Sequence, residues 1–220
     1  MMTVALANKC LTSLPENGQK CATLVFALAN PNYSYSASLD PEKIKLVDKN
    51  NALQMAFIDT LIKEGKVDGT KLFCAGASSG GGCTMRFMMA FANRFKAAIP
   101  ICSMDPIVPI HQVRDLDVNK LKEDLTAAWT GESIYRWNGS EMVPAKMDTQ
   151  AFVNLPMFFA HAQDDTTCKV ISTEAYFDVR AKLGAKNDKK VIYSDAEMKE
   201  SGSGLNSELN MGALTLDKTR

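Results

Sequence analysis

The sequence predicts an α/β fold: a mainly parallel sheet with helices on both faces and a small hairpin insertion near residues 134–143. Three observations lead there. Strand-length runs such as "CATLVFALA" at 21–29 and "LPMFFAH" at 155–161 are apolar throughout rather than alternating, as strands buried on both faces are. These runs alternate with helix-length amphipathic segments, the rhythm of βα units. The stretch "KLFCAGASSGGGCTMRFMMAFANRFKAAIPIC" at 71–102 reads as strand, glycine turn, helix and strand in succession. A chain of 220 residues fits one domain, 1–220, in which 1–20 and 196–220 are the least patterned parts.

Taken in order, "MTVALANKC" suits a short helix, and "Leu14-Pro-Glu-Asn-Gly-Gln" a turn before the strand at 21–29. "NPNYSYSASLDPEK" is a polar loop. The segment 44–65 carries Leu46, Leu53, Phe57, Ile58 and Leu61 at helical spacing and stops at Gly65, so a helix is expected with those residues inward. "KLFCA" is a strand, and "CTMRFMMAFANRF" is apolar on most faces, so its helix should be well buried. "KAAIPIC" is the next strand, and 117–129 an amphipathic helix. Asn138-Gly139 between alternating residues predicts a two-residue hairpin turn. A strand at 155–161, a helix at 172–184 closed by glycine, and a strand at 189–194 complete the pattern.

The composition excludes several functions. Lysine plus arginine and aspartate plus glutamate both total 25, so charge gives no argument for nucleic acid or an anionic membrane. No apolar run approaches the roughly 18–20 residues of a membrane helix. The N-terminus lacks a charged leader before an apolar core, so a cytoplasmic location is expected. The six cysteines form no C-x-x-C pair and there are two histidines, which argues against a metal site. Cys74, Cys83 and Cys102 lie in or beside apolar runs, as reduced buried thiols do, and Cys10–Cys21 is the best candidate for a disulfide. No cofactor is implied.

The chemistry concentrates at Gly76-Ala77-Ser78-Ser79-Gly80, which fits G-x-S-x-G. A serine at the tip of a sharp strand-to-helix turn needs glycine two residues away on each side, where side chains would clash. The helix start behind it offers backbone N–H groups to a developing oxyanion, and the Ser79 amide is the expected donor. A phosphate-binding loop would require G-x-x-x-x-G-K-S/T, but Gly82-Cys83 stands where Lys-Ser/Thr belongs. A dinucleotide fingerprint, G-x-G-x-x-G, is absent at 76–82. A glycine turn that only packs helix on strand is the plain alternative. Ser79 is a second choice as nucleophile, but it would put Ala77 where glycine is wanted.

The second element is "LPMFFAHAQDDTTC" at 155–168. A nucleophilic serine needs a base, and the base an acid to orient it. An aspartate in the loop after a later strand suits that acid; capping a turn is the alternative reading of Asp164 and Asp165.

These motifs fall in a familiar order. Val67-Asp68-Gly69-Thr70-Lys71-Leu72-Phe73 matches V-D-x-x-R/K-I/L-Y/F, and 76–81 matches G-x-S-x-G-G. Arg94 to Cys102 matches R/Y-F-x-A-A-I/V-P-I/V-C/S, and Pro156 to Asp165 matches P-x-x-x-x-H-G-x-x-D with Ala162 for the glycine. Over roughly residues 20–195 the chain resembles the α/β-hydrolase serine esterases of the dienelactone hydrolase, polyester depolymerase and prolyl-oligopeptidase-like branch. The resemblance implies Ser78 as nucleophile, Asp165 as acid, and hydrolysis of a small-molecule ester through an acyl-enzyme.

Two departures stand out. Such proteins carry the base histidine after the last strand, and no histidine follows Ser194. His111, in "PIVPIHQVRD", and His161, at a strand end, are the available imidazoles, and each would need unusual geometry to serve. A glycine-rich H-G-G loop, the usual second oxyanion donor, does not precede Ser78. The sequence thus supports a carboxylesterase or, alternatively, an impaired or non-catalytic binding module. Of Met85, Phe87, Met88, Trp129 and Trp137, most should pack in the core, with Trp137 the best placed to touch an acyl or aryl group.

Overall fold

A computed structural model of the chain describes residues 40–103 and 117–200. The strand predicted at 21–29, the turn at residue 14, the pair Cys10–Cys21 and His111 lie outside the described residues.

The first helix, α1 (Pro41–Lys63), begins where Asp40 accepts the amides of Glu42 and Lys43 and proline occupies the first turn. It ends before Gly65, which adopts φ 70. Of the residues at helical spacing, Ile58 faces inward and Leu46, Leu53 and Phe57 do not. Val47, Asp48, Asn51, Met55 and Ile58 are buried, whereas Leu46, Leu53 and Phe57 are 48%, 61% and 52% exposed. Periodicity identified the helix but not the face, because a buried ion pair brings a polar residue inward. Arg86 donates from Nε and Nη2 to Asp48 at 2.8 and 2.6 Å, and the Tyr135 amide adds 2.7 Å to the same carboxylate. Asp48 thereby ties α1 to the helix and the hairpin beside it.

The strand β1 (Phe73–Ala77) runs into α2 (Ser79–Phe91), a 3-10 turn (Ala92–Arg94) and β2 (Ala97–Ile101). Helix α2 starts four residues before the expected Cys83, so Gly80, Gly81 and Gly82 are helical rather than part of a loop. Helix α3 (Val118–Thr130), capped by Asp117, precedes the hairpin of β3 (Glu132–Trp137) and β4 (Met142–Lys146). The hairpin turns one residue later than predicted. The Asn138 amide still pairs with Glu141 O, leaving Gly139 (φ 108) and Ser140 at the tip. The Asn138 side chain spends its oxygen on the Ser140 and Glu141 amides.

A short helix α4 (Thr149–Asn154), which the sequence reading passed over, starts at an Asp148 cap. Then follow β5 (Phe158–Ala162), α5 (Val170–Lys182), β6 (Lys189–Tyr193) and α6 (Asp195–Glu200).

The main sheet has the order β1-β2-β5-β6, all parallel, with Phe73 opposite Ala97, Ile101 opposite Ala160 and Phe158 opposite Lys189. The fold class is as read from the sequence. Alternate strand residues, Ala98 and Phe159 among them, point to the side where α2 and α5 pack. Trp129, Phe152, Tyr176 and Phe159 form the aromatic centre of that core, with ring centroids 5.1–6.5 Å apart. Met85, Met88, Phe87 and Trp129 are buried there too, so they are packing residues. On the opposite side Phe73 is 67% exposed.

The core also holds a second buried cation. Arg180 reaches Asp188 at 2.6 and 3.0 Å and the carbonyls of Phe152 and Leu155 at 2.6 and 2.7 Å. Asp188 in turn accepts the Met157 amide at 3.0 Å, which fixes the approach to β5. Among the described residues no helix is long and apolar enough to cross a membrane.

Candidate active site

Because the strands are parallel, the chain leaves β1, β2 and β5 at the same edge of the sheet, where open α/β sheets place their sites. Ser78 follows β1, Cys102 follows β2, and the Asp164-Asp165 loop follows β5.

Ser78 has φ 55 and ψ −122. Residues other than glycine rarely adopt such a backbone, at a cost of about 1–3 kcal/mol. It persists because both flanks are fixed. The Ser78 amide donates to Ile101 O at 3.0 Å, and its carbonyl accepts the Gly82 amide at 3.1 Å as the first bond of α2. The Ser78 hydroxyl makes no capping bond to the helix. Instead its Oγ stands 3.6 Å from Cys168 Sγ.

The clearance around this turn is tight. A Cβ on Gly76 would lie 2.1 Å from Gly80 O, so the strand and the first helical turn touch backbone to backbone. Sequence reasoning found that requirement but missed a second one. A Cβ on Gly81 would lie 2.5 Å from Ser103 Oγ and 2.8 Å from Ile101 O, so the third glycine seats the helix against the end of β2. Ser79 opens α2; its amide belongs to the first turn, whose N–H groups face the N-terminal end of the helix rather than a helical carbonyl.

Asp165 is buried beneath this edge. Its Oδ1 accepts the amides of Thr167 and Cys168 at 2.9 and 2.8 Å, so it does hold the turn, as the plain reading of the motif expected. Its Oδ2 lies 3.6 Å from His161 Nε2.

His161 is fully buried and both its nitrogens are engaged. Nε2 stands 2.6 Å from Cys168 O and Nδ1 2.8 Å from Thr173 Oγ1. A carbonyl only accepts, so Nε2 carries the proton and Nδ1 accepts from the threonine hydroxyl. Burial pushes the imidazole pKa below its ordinary value, with the Cys168 carbonyl and the charges of Asp165 and Glu174 opposing, and the neutral tautomer results. His161 therefore anchors the loop that carries Asp165.

Two thiols complete the surroundings. Burial pushes Cys102 up to about 12, against the Ser78 amide, which favours its thiolate. Cys102 also holds φ 35, a second strained backbone at the same edge. Burial pushes Cys168 up to about 11; its contact with Ser78 opposes that shift and the Asp165 charge adds to it. Both are protonated thiols at neutral pH. No sequence signal pointed to Cys168, which is 90 residues from Ser78 in the chain. Trp137 stands 54% exposed near the hairpin tip. Among the described residues no group of three or more histidine, cysteine, aspartate or glutamate side chains is placed to hold a metal ion.

Comparison with solved structures finds chains of low identity. A thermostable esterase is 20% identical with a TM-score of 0.46, over 76% of this chain and 36% of that one. The SOBER1 protein of Arabidopsis thaliana is 15% identical with a TM-score of 0.42, over 82% and 66%. The acylaminoacyl peptidase of Pyrococcus horikoshii is 15% identical with a TM-score of 0.41, over 76% and 25%. The chain thus spans about a third of the length of that esterase. No curated protein gave a significant match. The family model for prolyl oligopeptidases, however, matches residues 44–200, most of the chain and every element around Ser78. The strand–turn–helix at Ser78, the Asp165 loop and the parallel sheet beneath them accordingly sit within that match, and the chain belongs to the prolyl oligopeptidase family.

Proposed function

We propose that the chain is a serine hydrolase that cleaves small carboxylic esters through an acyl-enzyme on Ser78. One observation carries this reading: a serine held at φ 55, ψ −122 between a strand and a helix, with Gly76 stripped of any Cβ to allow it. Strain of that kind persists where a side chain must be presented.

In this reading Ser78 Oγ adds to the ester carbonyl carbon as its proton passes to a base. The carbonyl oxygen, now anionic, takes the Ser79 amide at the positive end of α2. The bond to the alcohol oxygen breaks, and the alcohol leaves with the proton. Water then attacks the acyl group, releases the acid and restores the Ser78 hydroxyl. Asp165 is the acid that orients the base. His161 has both nitrogens committed, which leaves His111 as the imidazole to test in that role. An alkoxide leaves more readily than an amine anion, which must first be protonated, so an ester asks less of this acid–base pair than an amide does.

The second reading, a hydrolase-like binding module, is favoured by the engagement of His161. A fluorophosphonate probe followed by intact mass, with p-nitrophenyl acetate turnover, separates the two. We expect one adduct per chain, lost in Ser78→Ala, and turnover lost in His111→Ala. A folded wild-type chain that takes up no probe and turns over no ester sinks the esterase and leaves the module. Faster cleavage of an acyl-peptide anilide than of the ester would refute the ester preference.

A further inference from the structure

One residue touches all three groups of the site. Cys168 donates its amide to Asp165 Oδ1 at 2.8 Å and lends its carbonyl to His161 Nε2 at 2.6 Å. Its Sγ meets Ser78 Oγ at 3.6 Å. We propose that Cys168 is a positioning residue whose thiol holds the Ser78 side chain against the Asp165 loop; this rests on the serine-hydrolase reading.

The argument is geometric. A serine side chain has three staggered wells, and in only some of them does Oγ face a given partner. The backbone of Ser78 is fixed by Ile101 and Gly82, but that does not choose the rotamer. A thiol anchored at its own backbone by a buried aspartate and a buried histidine is a rigid point to hold it. Cys168 is itself buried, beside Ile101, Cys102 and Ala160, so its sulfur has little freedom to turn away. The thiol stays protonated, so it neither competes as a nucleophile nor takes the serine proton. Its contribution is placement alone: through this side chain the loop after β5 reaches back to the turn after β1.

The test compares Cys168→Val, which keeps a small apolar shape but loses the S–H, with Cys168→Ser, which keeps a donor. Labelling rates with a fluorophosphonate, ester kinetics across pH and circular-dichroism melts are measured for each. Misplacement of a nucleophile by about 1 Å can cost about 100-fold, so Cys168→Val should label at least about ten-fold more slowly. The loss should fall on kcat rather than KM, Cys168→Ser should recover most of it, and the rate–pH profile should keep its shape. Should Cys168→Val fail to fold, Cys168→Ala carries the same comparison. Cys168→Val labelling as fast as wild type overturns the positioning role and leaves the hydrolase intact. Loss of an inflection from its pH profile also overturns it, because that would make Cys168 a proton-transfer group. A folded wild-type chain that never labels overturns the hydrolase reading, and this inference with it.

Discussion

Replacing Gly76 with alanine tests the central physical claim about the Ser78 turn. The added Cβ would sit 2.1 Å from Gly80 O, 2.4 Å from Gly80 C and 2.7 Å from Thr84 Oγ1. Ordinary contact begins at 3.4 Å, so 2.1 Å against 3.4 Å leaves 1.3 Å to open. The obstacle is backbone, and it is held: Thr84 Oγ1 donates to Gly80 O at 2.9 Å, and the Gly82 amide to Ser78 O at 3.1 Å. The start of α2 cannot retreat without carrying Ser78 along. Overpacking of this kind costs about 1–3 kcal/mol, and rigid backbone places the site at the upper end. At about 2–4 °C per kcal/mol for a chain of this size, the melting temperature should fall by about 6–12 °C. Below the melt the protein should still fold, but with Ser78 displaced by something near 1 Å, labelling by a fluorophosphonate should slow about 100-fold. Circular dichroism follows the first quantity and intact mass the second. A Gly76→Ala chain that melts within about 1 °C of wild type and labels at the same rate would refute the close-approach argument.

Two further outcomes follow from the same geometry. Ser78→Gly removes a positive-φ strain of about 1–3 kcal/mol and adds about 0.5–1 kcal/mol of chain entropy cost, so it should melt higher than wild type while losing all labelling; a lower melting temperature would mean that the turn is not strained. His161 has a folded pKa below the ordinary 6.5, so its contribution is fully present above pH 6.5 and is lost as pH falls from there towards the lowered folded value. Urea unfolding at stepped pH should therefore show stability declining with acidification in that window, with a shallower decline in His161→Gln; identical slopes in the two proteins would contradict the buried neutral imidazole.

Much of the architecture was legible because it rests on local rules. Apolar runs of strand length, helix stops at Gly65 and after Lys182, and the glycine-bounded Ser78 announce parallel strands, helices and a sharp turn without reference to anything distant. The loop that carries Asp165 was likewise legible as the segment following a strand. The misses share a different cause. Leu46, Leu53 and Phe57 have helical spacing, yet α1 buries Val47, Asn51 and Met55 because the Asp48–Arg86 pair draws that face inward. The hairpin tip moved one residue because Asn138 belongs to the last ladder pair, its amide on Glu141 O, while its side-chain oxygen takes the Ser140 and Glu141 amides of the turn.

The sequence alone determined which serine stands at the strand-to-helix turn, since a single chain segment contains the strand, both glycines and the helix. Only the tertiary structure decided what surrounds that serine. Gly81 matters because Ser103 lies behind it, His161 is an anchor because Thr173 and Cys168 take its nitrogens, and Cys168 reaches Ser78 across 90 residues. Spacing along a chain encodes contacts within one element or one turn. Contacts between the ends of separate parallel strands depend on sheet order, which no local pattern records.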